Sequence, residues 1–436
     1  MKLIHTADWH LGRLFYGVHL TEDQACVLDQ LVELVKDERP DAVLIAGDVF
    51  DRAVPPPEAV TLLDDVLGRI VQGLGVAVIV IAGNHDSPER ISFGARLLAP
   101  GGLHVAGRVQ ARPDRVTLRD EWGSVHVCSV PSCEPAFARD AFDTDDIHDH
   151  QAAMKALVRA ARRGLPMGER SVLVGHAFVA GGEPSESERP LSVGGAGTVE
   201  ASVFEGFEYV ALGHLHRPQW VSGGPASTGT PASSGAADRG ASSAACSQAT
   251  GLGQGSLFDV HPDPSSAGDD DAPSSVLGAV RYAGSLLKYS FGEAGHRKSI
   301  SVVEIDGRGG VQVREATLSP RHDVRQAAGL FKDLRAGGAS ASGPADDYLS
   351  VTLLDAGPVL DAMSRLRDVY PNLVHVERSE VVAVREQGRA ADHRQVGEEE
   401  VFASFFEEVT GAPLSTAESE AFAQVAEVLR RKEREA

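Results

Sequence analysis

The chain has 436 residues, long enough for two or three folded units, and 42 % of them are hydrophobic, so a sizeable core can form. Its net charge of -21 excludes a protein that holds nucleic acid by bulk electrostatics alone, because such affinity comes from Lys and Arg on phosphates. Four scattered cysteines (Cys26, Cys128, Cys133, Cys246) without CxxC spacing exclude a disulfide framework or a zinc knuckle, and no apolar run reaches the length of a membrane span. The opening MKLIHTADWH has no long apolar stretch, so no signal peptide is expected and the cysteine usage points to the cytoplasm.

In chain order, Lys2–His5, Ala42–Ala46 and Val76–Ala82 read as buried strands, each rich in β-branched residues and bounded by turn signals. Helical periodicity covers Glu22–Arg39 and Pro57–Ile70, the second opening on proline. Further strands are predicted at Ser124–Val130, Ser171–Val174 and Glu208–Leu212. A βαβ pattern that becomes strand-rich implies two sheets with helices outside. Residues 222–276 are dominated by Gly, Ser, Ala, Pro and Asp, a composition that buries too little apolar surface to offset ordering entropy, so a disordered insertion is expected. Folded sequence resumes at Val280–Ser285, with strands at Ser299–Ile305 and Gly310–Thr317 completing a first domain over 1–320. A small α+β unit of about 60 residues follows over 321–380. It reads as helix Val324–Leu334, strand Tyr348–Leu354, helix Val359–Val369 and strand Val374–Arg378. After a polar linker, 381–397, an apolar helix pair is predicted over 398–431. Val401, Phe402, Phe405, Phe406 and Val409 line its first member, and a Ser415/Glu418 capping box opens the second.

Five short motifs carry the chemistry: Asp8-Trp9-His10, Gly47-Asp48-Val49-Phe50-Asp51, Gly83-Asn84-His85-Asp86, Gly175-His176 and Gly213-His214-Leu215-His216. Each places its polar residues just past the C-terminal end of an apolar strand, where layered α/β folds gather ligands. Asp, Asn and His form a mixed oxygen and nitrogen donor set without thiolate. That set suits Mn²⁺, Fe²⁺ or Zn²⁺, with Mn²⁺ favoured by the hard oxygens. One aspartate bridging two ions at roughly 3.5–4 Å would clamp a phosphate and activate a water, while a non-ligand histidine protonates the leaving oxygen.

The ordered set resembles the calcineurin-like metallophosphoesterases. TADWHLGR, IAGDVFDRAVPP, IAGNHDS and ALGHLHRPQ are similar, more narrowly, to the bacterial SbcD nuclease family. The resemblance is strong over 1–220, clear over 279–317, and one of arrangement beyond. It implies an αββα four-layer sandwich with a small capping domain at 321–380 and a C-terminal helix pair. It further implies that Asp8, His10 and His216 hold one ion, that Asn84, His176 and His214 hold the other, and that Asp48 bridges them. His85 would be the general acid, with Asp86 fixing its loop. Arg52 stands where some relatives carry histidine; it can pair with phosphate but cannot act as an acid. Arg13 and Arg90 flank these loops as candidate DNA-backbone contacts.

The activity implied is 3'-5' double-strand exonuclease and single-strand or hairpin endonuclease action in DNA repair, recombination and replication. The chain would be nucleoid-associated and act with the SMC-like ATPase SbcC, docked on the helix pair, as a homodimer within a heterotetramer. This chain has no GxxxxGK[ST] loop of its own. Two competing readings are a phosphoesterase for a small molecule or phosphoprotein and an inactive binding scaffold. His5 alternates with core residues and reads as structural. His19, His104 and His126 lack motif partners, and His148 and His150 lie in the acidic run DTDDIHDH, expected to be a solvated loop.

Overall fold

The structure, a computed structural model, describes residues 1–188, 197–224, 278–337, 343–355, 357–378 and the single positions 415, 419 and 422. The chain divides into two compact units, Met1–Ser379 and Glu380–Ala436. The expected linker 381–397, residues 225–276 of the expected insertion, and the helix pair 398–431 apart from those three positions lie outside the described residues.

Two six-stranded sheets build the first unit. One runs in the order Val311–Thr317, Ser299–Ile305, Lys2–Thr6, Ala42–Ala46, Ala77–Ile81, Leu103–Ala106. The second runs Gln219–Ser222, Ala279–Tyr282, Tyr209–Gly213, Arg170–His176, Gly123–Val130, Arg115–Asp120. Their central strands are parallel, with Leu3 opposite Ala42 in the first sheet and Tyr209 opposite Val172 in the second.

The central strands are buried on both faces, so they read as continuous apolar runs whose alternate residues serve two different cores. Leu3, Leu44, Ile79, Val172, Val174 and Tyr209 pack between the sheets. Ile4, Val43 and Ile45 point the other way, onto the helices Thr21–Glu38 and Pro57–Gly68. Leu173 and Val210 do the same for the helix His150–Arg162, through Met154, Leu157 and Val158. The layers are therefore helix, sheet, sheet, helix, as the resemblance implied.

Two expectations are corrected. Val324–Leu334 is not one helix: Val324–Gly329 is a strand parallel to Tyr348–Leu353, followed by the short helix Phe331–Arg335. The Ala- and Gln-rich segment has helical propensity, but pairing lets Val324, Ala327 and Gly329 be buried, and burial wins. The acidic run before residue 150 is the expected loop, exposed at Asp145, Asp146 and His148, but His150 leaves it to open a helix. Asp149 caps the helix His150–Arg162, accepting from the Ala152 N–H at 2.7 Å.

The strand Val324–Gly329 belongs to a three-stranded parallel sheet with Tyr348–Leu353 and Leu373–Arg378. This small sheet is tied to the sandwich through the first turn of the helix Thr21–Glu38. Buried Asp23 accepts from the Tyr348 hydroxyl at 2.9 Å and pairs with His322 Nδ1 at 2.8 Å. Lys288 reaches Asp323 at 2.8 Å.

Candidate metal centre

The motifs meet where the strand ends of the two sheets face each other. The Asp8 N–H donates to Gly47 O at 3.0 Å and the His10 N–H to Asp48 O at 3.0 Å, zipping two loops of the first sheet together. From the second sheet, the His214 N–H donates to Asp8 Oδ1 at 2.9 Å and His176 Nδ1 to Ala46 O at 2.9 Å. The approach is close enough that a Cβ on Gly213 would stand 1.9 Å from Ala46 O, and one on Gly83 2.1 Å from Asp48 Oδ1. Only glycine serves at those two positions. Asp8, His10, Asp48 and His214 themselves adopt positive φ (53°, 46°, 49° and 107°). Such backbone is uncommon for non-glycine residues and gathers at functional sites.

Three clusters of candidate ligands result among the described residues: Asp8, His10 and His216; Asp48, His176 and His214; and His10, Asp51 and His85. His10 Nε2 and His216 Nε2 are 3.0 Å apart. Asn84 Oδ1 lies 2.9 Å from His176 Nε2 and 3.0 Å from His214 Nδ1. Asp48 stands between the groups, with Oδ2 3.7 Å from His10 Nε2 and 3.5 Å from His176 Nε2.

These residues fit divalent cations, and the hydrogen bonding says why. A carbonyl only accepts, so His176 Nδ1 carries the proton given to Ala46 O. Its Nε2 is then a lone pair, set against the Asn84 carbonyl oxygen, a second acceptor. Two acceptors at that spacing repel, whereas two donors about 2.1 Å from one ion stand roughly 3–3.5 Å apart. Among the described residues the buried Asp8 Oδ2 has no hydrogen-bond partner, the condition expected of an atom reserved for another occupant. Burial pushes the ligand imidazoles down, His176 and His216 to about 4 and His10 and His214 well below their usual value. They are neutral and ready to ligate at physiological pH. Burial and the adjacent Asp48 carboxylate push Asp8 well up, a repulsion that cations would relieve.

His85 is buried beside this cluster. Its Nδ1 donates to Asp51 O at 2.8 Å and its backbone N–H to Asp48 Oδ1 at 2.8 Å, leaving Nε2 3.9 Å from Asp48 Oδ2. The Asp86 carboxylate accepts from three backbone N–H groups, Val49 at 3.1 Å and Phe50 and Gly83 at 2.9 Å, stapling its loop to that of Asp48. Arg13 donates to Asp51 at 2.9 Å with its guanidinium over the Tyr289 ring, whereas Arg52 and Arg90 are exposed. His5 is buried between Tyr209 Oη (2.9 Å) and Leu212 O (3.2 Å), a structural placement.

Motif reading missed the residues that hold the ligands. Gln24 Nε2 donates to Trp9 O and His10 O at 3.2 and 2.8 Å, and Tyr289 Oη to Trp9 O at 2.5 Å. Asp51, quoted only as part of its motif, lies 3.4 Å from His10 Nδ1. Burial raises its carboxyl, but His10 and Arg13 outweigh burial and hold it at about 2. Glu188, Glu293 and Lys298 surround His216. They sit in no recognisable pattern, and the last two are separated from the GHLH motif by the whole 222–276 segment.

A two-sheet sandwich bearing paired Asp/Asn/His clusters at its strand ends defines a metal-dependent phosphoester hydrolase. The chain belongs to the calcineurin-like phosphoesterases, a family that matches residues 1–218, half its length. Residues 320–410 match a second family, described as the Type 5 capsule protein repressor C-terminal domain, an SbcD-type C-terminal domain. A solved crystal structure, that of the protein TT1561 of Thermus thermophilus, is 12 % identical, the match covering 72 % of this chain and 98 % of that one, with a TM-score of 0.35. No helix among the described residues is long and apolar enough to cross a membrane.

Proposed function

We propose that this protein is a DNA nuclease of the SbcD type, hydrolysing phosphodiester bonds with two divalent cations, Mn²⁺ foremost. The observation that carries the reading is the pair of ligand clusters meeting at Asp48, with His85 alongside. Asp8, His10 and His216 would hold one ion and Asn84, His176 and His214 the other, with Asp48 shared. When bound, the ions would polarise a phosphate and supply a nucleophile from water at neutral pH. His85 delivers the proton: the bond from Nδ1 to Asp51 O aims Nε2 along the Asp48 side of the site, where it can protonate a leaving oxygen. Exposed Arg52, next in the chain to Asp51, and exposed Arg90, four residues past Asp86, suit backbone phosphates.

The SbcD-type C-terminal domain supports the nuclease over a small-molecule phosphoesterase, because the latter needs no such appendage. The net charge of -21 gives a partner the task of holding DNA. In this reading the partner is the SMC-like ATPase SbcC, docked on 398–431, and the assembly is a heterotetramer around a nuclease homodimer. Phe93 and Leu97, 86 % and 85 % exposed and following the Asn84–Asp86 loop in sequence, support an interface on that segment.

The test is Mn²⁺-dependent cleavage of linear and hairpin DNA, with and without that ATPase, beside hydrolysis of a bis-aryl phosphodiester. Cleavage of DNA, stimulated by the ATPase, is expected. Turnover of the aryl ester with no attack on DNA even in the complex would replace this reading with a small-molecule phosphoesterase.

A further inference from the structure

His216 is held at every polar atom but Nε2. Its N–H donates to Glu188 Oε1 at 2.7 Å, and its carbonyl accepts from Lys298 Nζ at 2.7 Å and the Ser285 N–H at 3.1 Å. Its ring nitrogen Nδ1 lies 2.5 Å from the Ser187 hydroxyl, which donates to Glu293 Oε1. Glu293 is fully buried and its other oxygen takes a 2.5 Å bond from Lys298 Nζ, itself 95 % buried. Lys298 also bonds Ser285 Oγ at 2.8 Å.

The proton positions follow from donor and acceptor identities. A carboxylate only accepts, so the Ser187 hydrogen points at Glu293. The Ser187 oxygen must then accept from His216, which places a hydrogen on Nδ1 and leaves Nε2 as a lone pair. That lone pair faces His10 Nε2 in the cluster with Asp8. Glu293 cannot do this unaided, since its nearer oxygen is 3.6 Å from Nδ1. The serine spans the gap.

We propose that Ser187 and Glu293 are positioning residues for the metal ligand His216. Ser187 relays the Glu293 charge to Nδ1–H, fixing the tautomer and ring orientation that present Nε2 to an ion, and Lys298 pins Glu293 and the His216 backbone together. The inference rests on the reading that His216 holds a cation. Such outer partners set ligand basicity as well as direction, and their loss weakens metal affinity by about 10–100-fold.

The experiment is calorimetric titration of the full chain with Mn²⁺ alone. It compares wild type, Ser187→Ala, Ser187→Thr and Glu293→Gln, with the thermal midpoint of each metal-free protein alongside. Wild type should bind two ions. Ser187→Ala should weaken one of them by about 10–100-fold, leave the other unchanged and melt like wild type. Ser187→Thr, which keeps the hydroxyl, should restore most of the affinity. Glu293→Gln strands the buried Lys298 charge and is expected to lower the midpoint, so Ser187→Ala carries the decision. If Ser187→Ala binds both ions as wild type does, or weakens both equally, the relay is refuted. If wild type itself binds no Mn²⁺, the metal reading falls and the relay with it.

Discussion

Replacing Asp86 by Ala tests how the two central loops are held. The Asp86 carboxylate is buried and accepts from the Val49, Phe50 and Gly83 N–H groups at 2.9–3.1 Å, with no other acceptor shown for those three donors. Each orphaned buried donor costs about 1–3 kcal/mol, on the order of 6 kcal/mol for three. An opposing contribution exists, because burial and the neighbouring Asp48 carboxylate push the Asp86 carboxyl up to about 6. Carrying the ionised carboxylate from the unfolded chain into this site at neutral pH, with no metal present, therefore costs about 3 kcal/mol, which the alanine recovers. The expected net loss is about 3 kcal/mol, seen as a fall of several degrees in the thermal midpoint. With Mn²⁺ present the carboxylate repulsion is relieved, so the alanine recovers less and the deficit widens. The assay is thermal unfolding of wild type and variant, with and without Mn²⁺. An unchanged midpoint, or a deficit that shrinks when Mn²⁺ is added, would falsify the argument.

Three further outcomes are expected. His85→Ala should lower kcat on a phosphodiester by about 10²–10⁴ while Mn²⁺ titration stays that of wild type; an undiminished rate removes His85 from proton transfer. Gly83→Ala would put a methyl group 2.1 Å from Asp48 Oδ1 and 2.2 Å from its backbone nitrogen, so Mn²⁺ affinity should collapse, and normal binding would show that the loops yield. Acid should destabilise the metal-free protein. Burial depresses His5 to about 3 and His176 and His216 to about 4, with His10 and His214 also pushed down. The unfolded chain takes up protons on these rings near pH 6.5 and the native chain does not. Their stabilising contribution is therefore present above pH 6.5 and drains away toward pH 4. Raised carboxyls on Asp8, Asp86 and Glu188 act in the opposite sense but are fewer. A midpoint that holds or rises between about pH 7 and pH 5 would contradict this.

The parts of the molecule legible in sequence were those whose signal is local. Ala42–Ala46 and Ala77–Ile81 are buried on both faces, so they appear as unbroken apolar runs ending in glycine-led motifs. The edge strand Arg115–Asp120 alternates between exposed and half-buried residues and escaped notice. Leu103–Ala106, only four residues long, did too. The amphipathic helix His150–Arg162 was hidden behind the acidic run before it. Val324–Gly329 was misread because its strand character comes from pairing with Tyr348–Leu353, which no local window contains. The same division holds at the metal centre. Its candidate ligands stand in short motifs, whereas Gln24, Glu293 and Lys298 act through contacts formed only on folding.

The positive φ angles of Asp8, His10, Asp48 and His214 have a thermodynamic corollary. Each costs on the order of 1–3 kcal/mol, and folding the two hydrophobic layers supplies it before any ion arrives. An incoming cation therefore spends little of its binding energy on recruiting donors, and the donors cannot drift to suit it. Rigid frames sort ions by radius and flexible ones accept what comes. Affinity across a series of divalent ions should accordingly peak sharply with ionic size, and widening that peak would require loosening the sandwich itself.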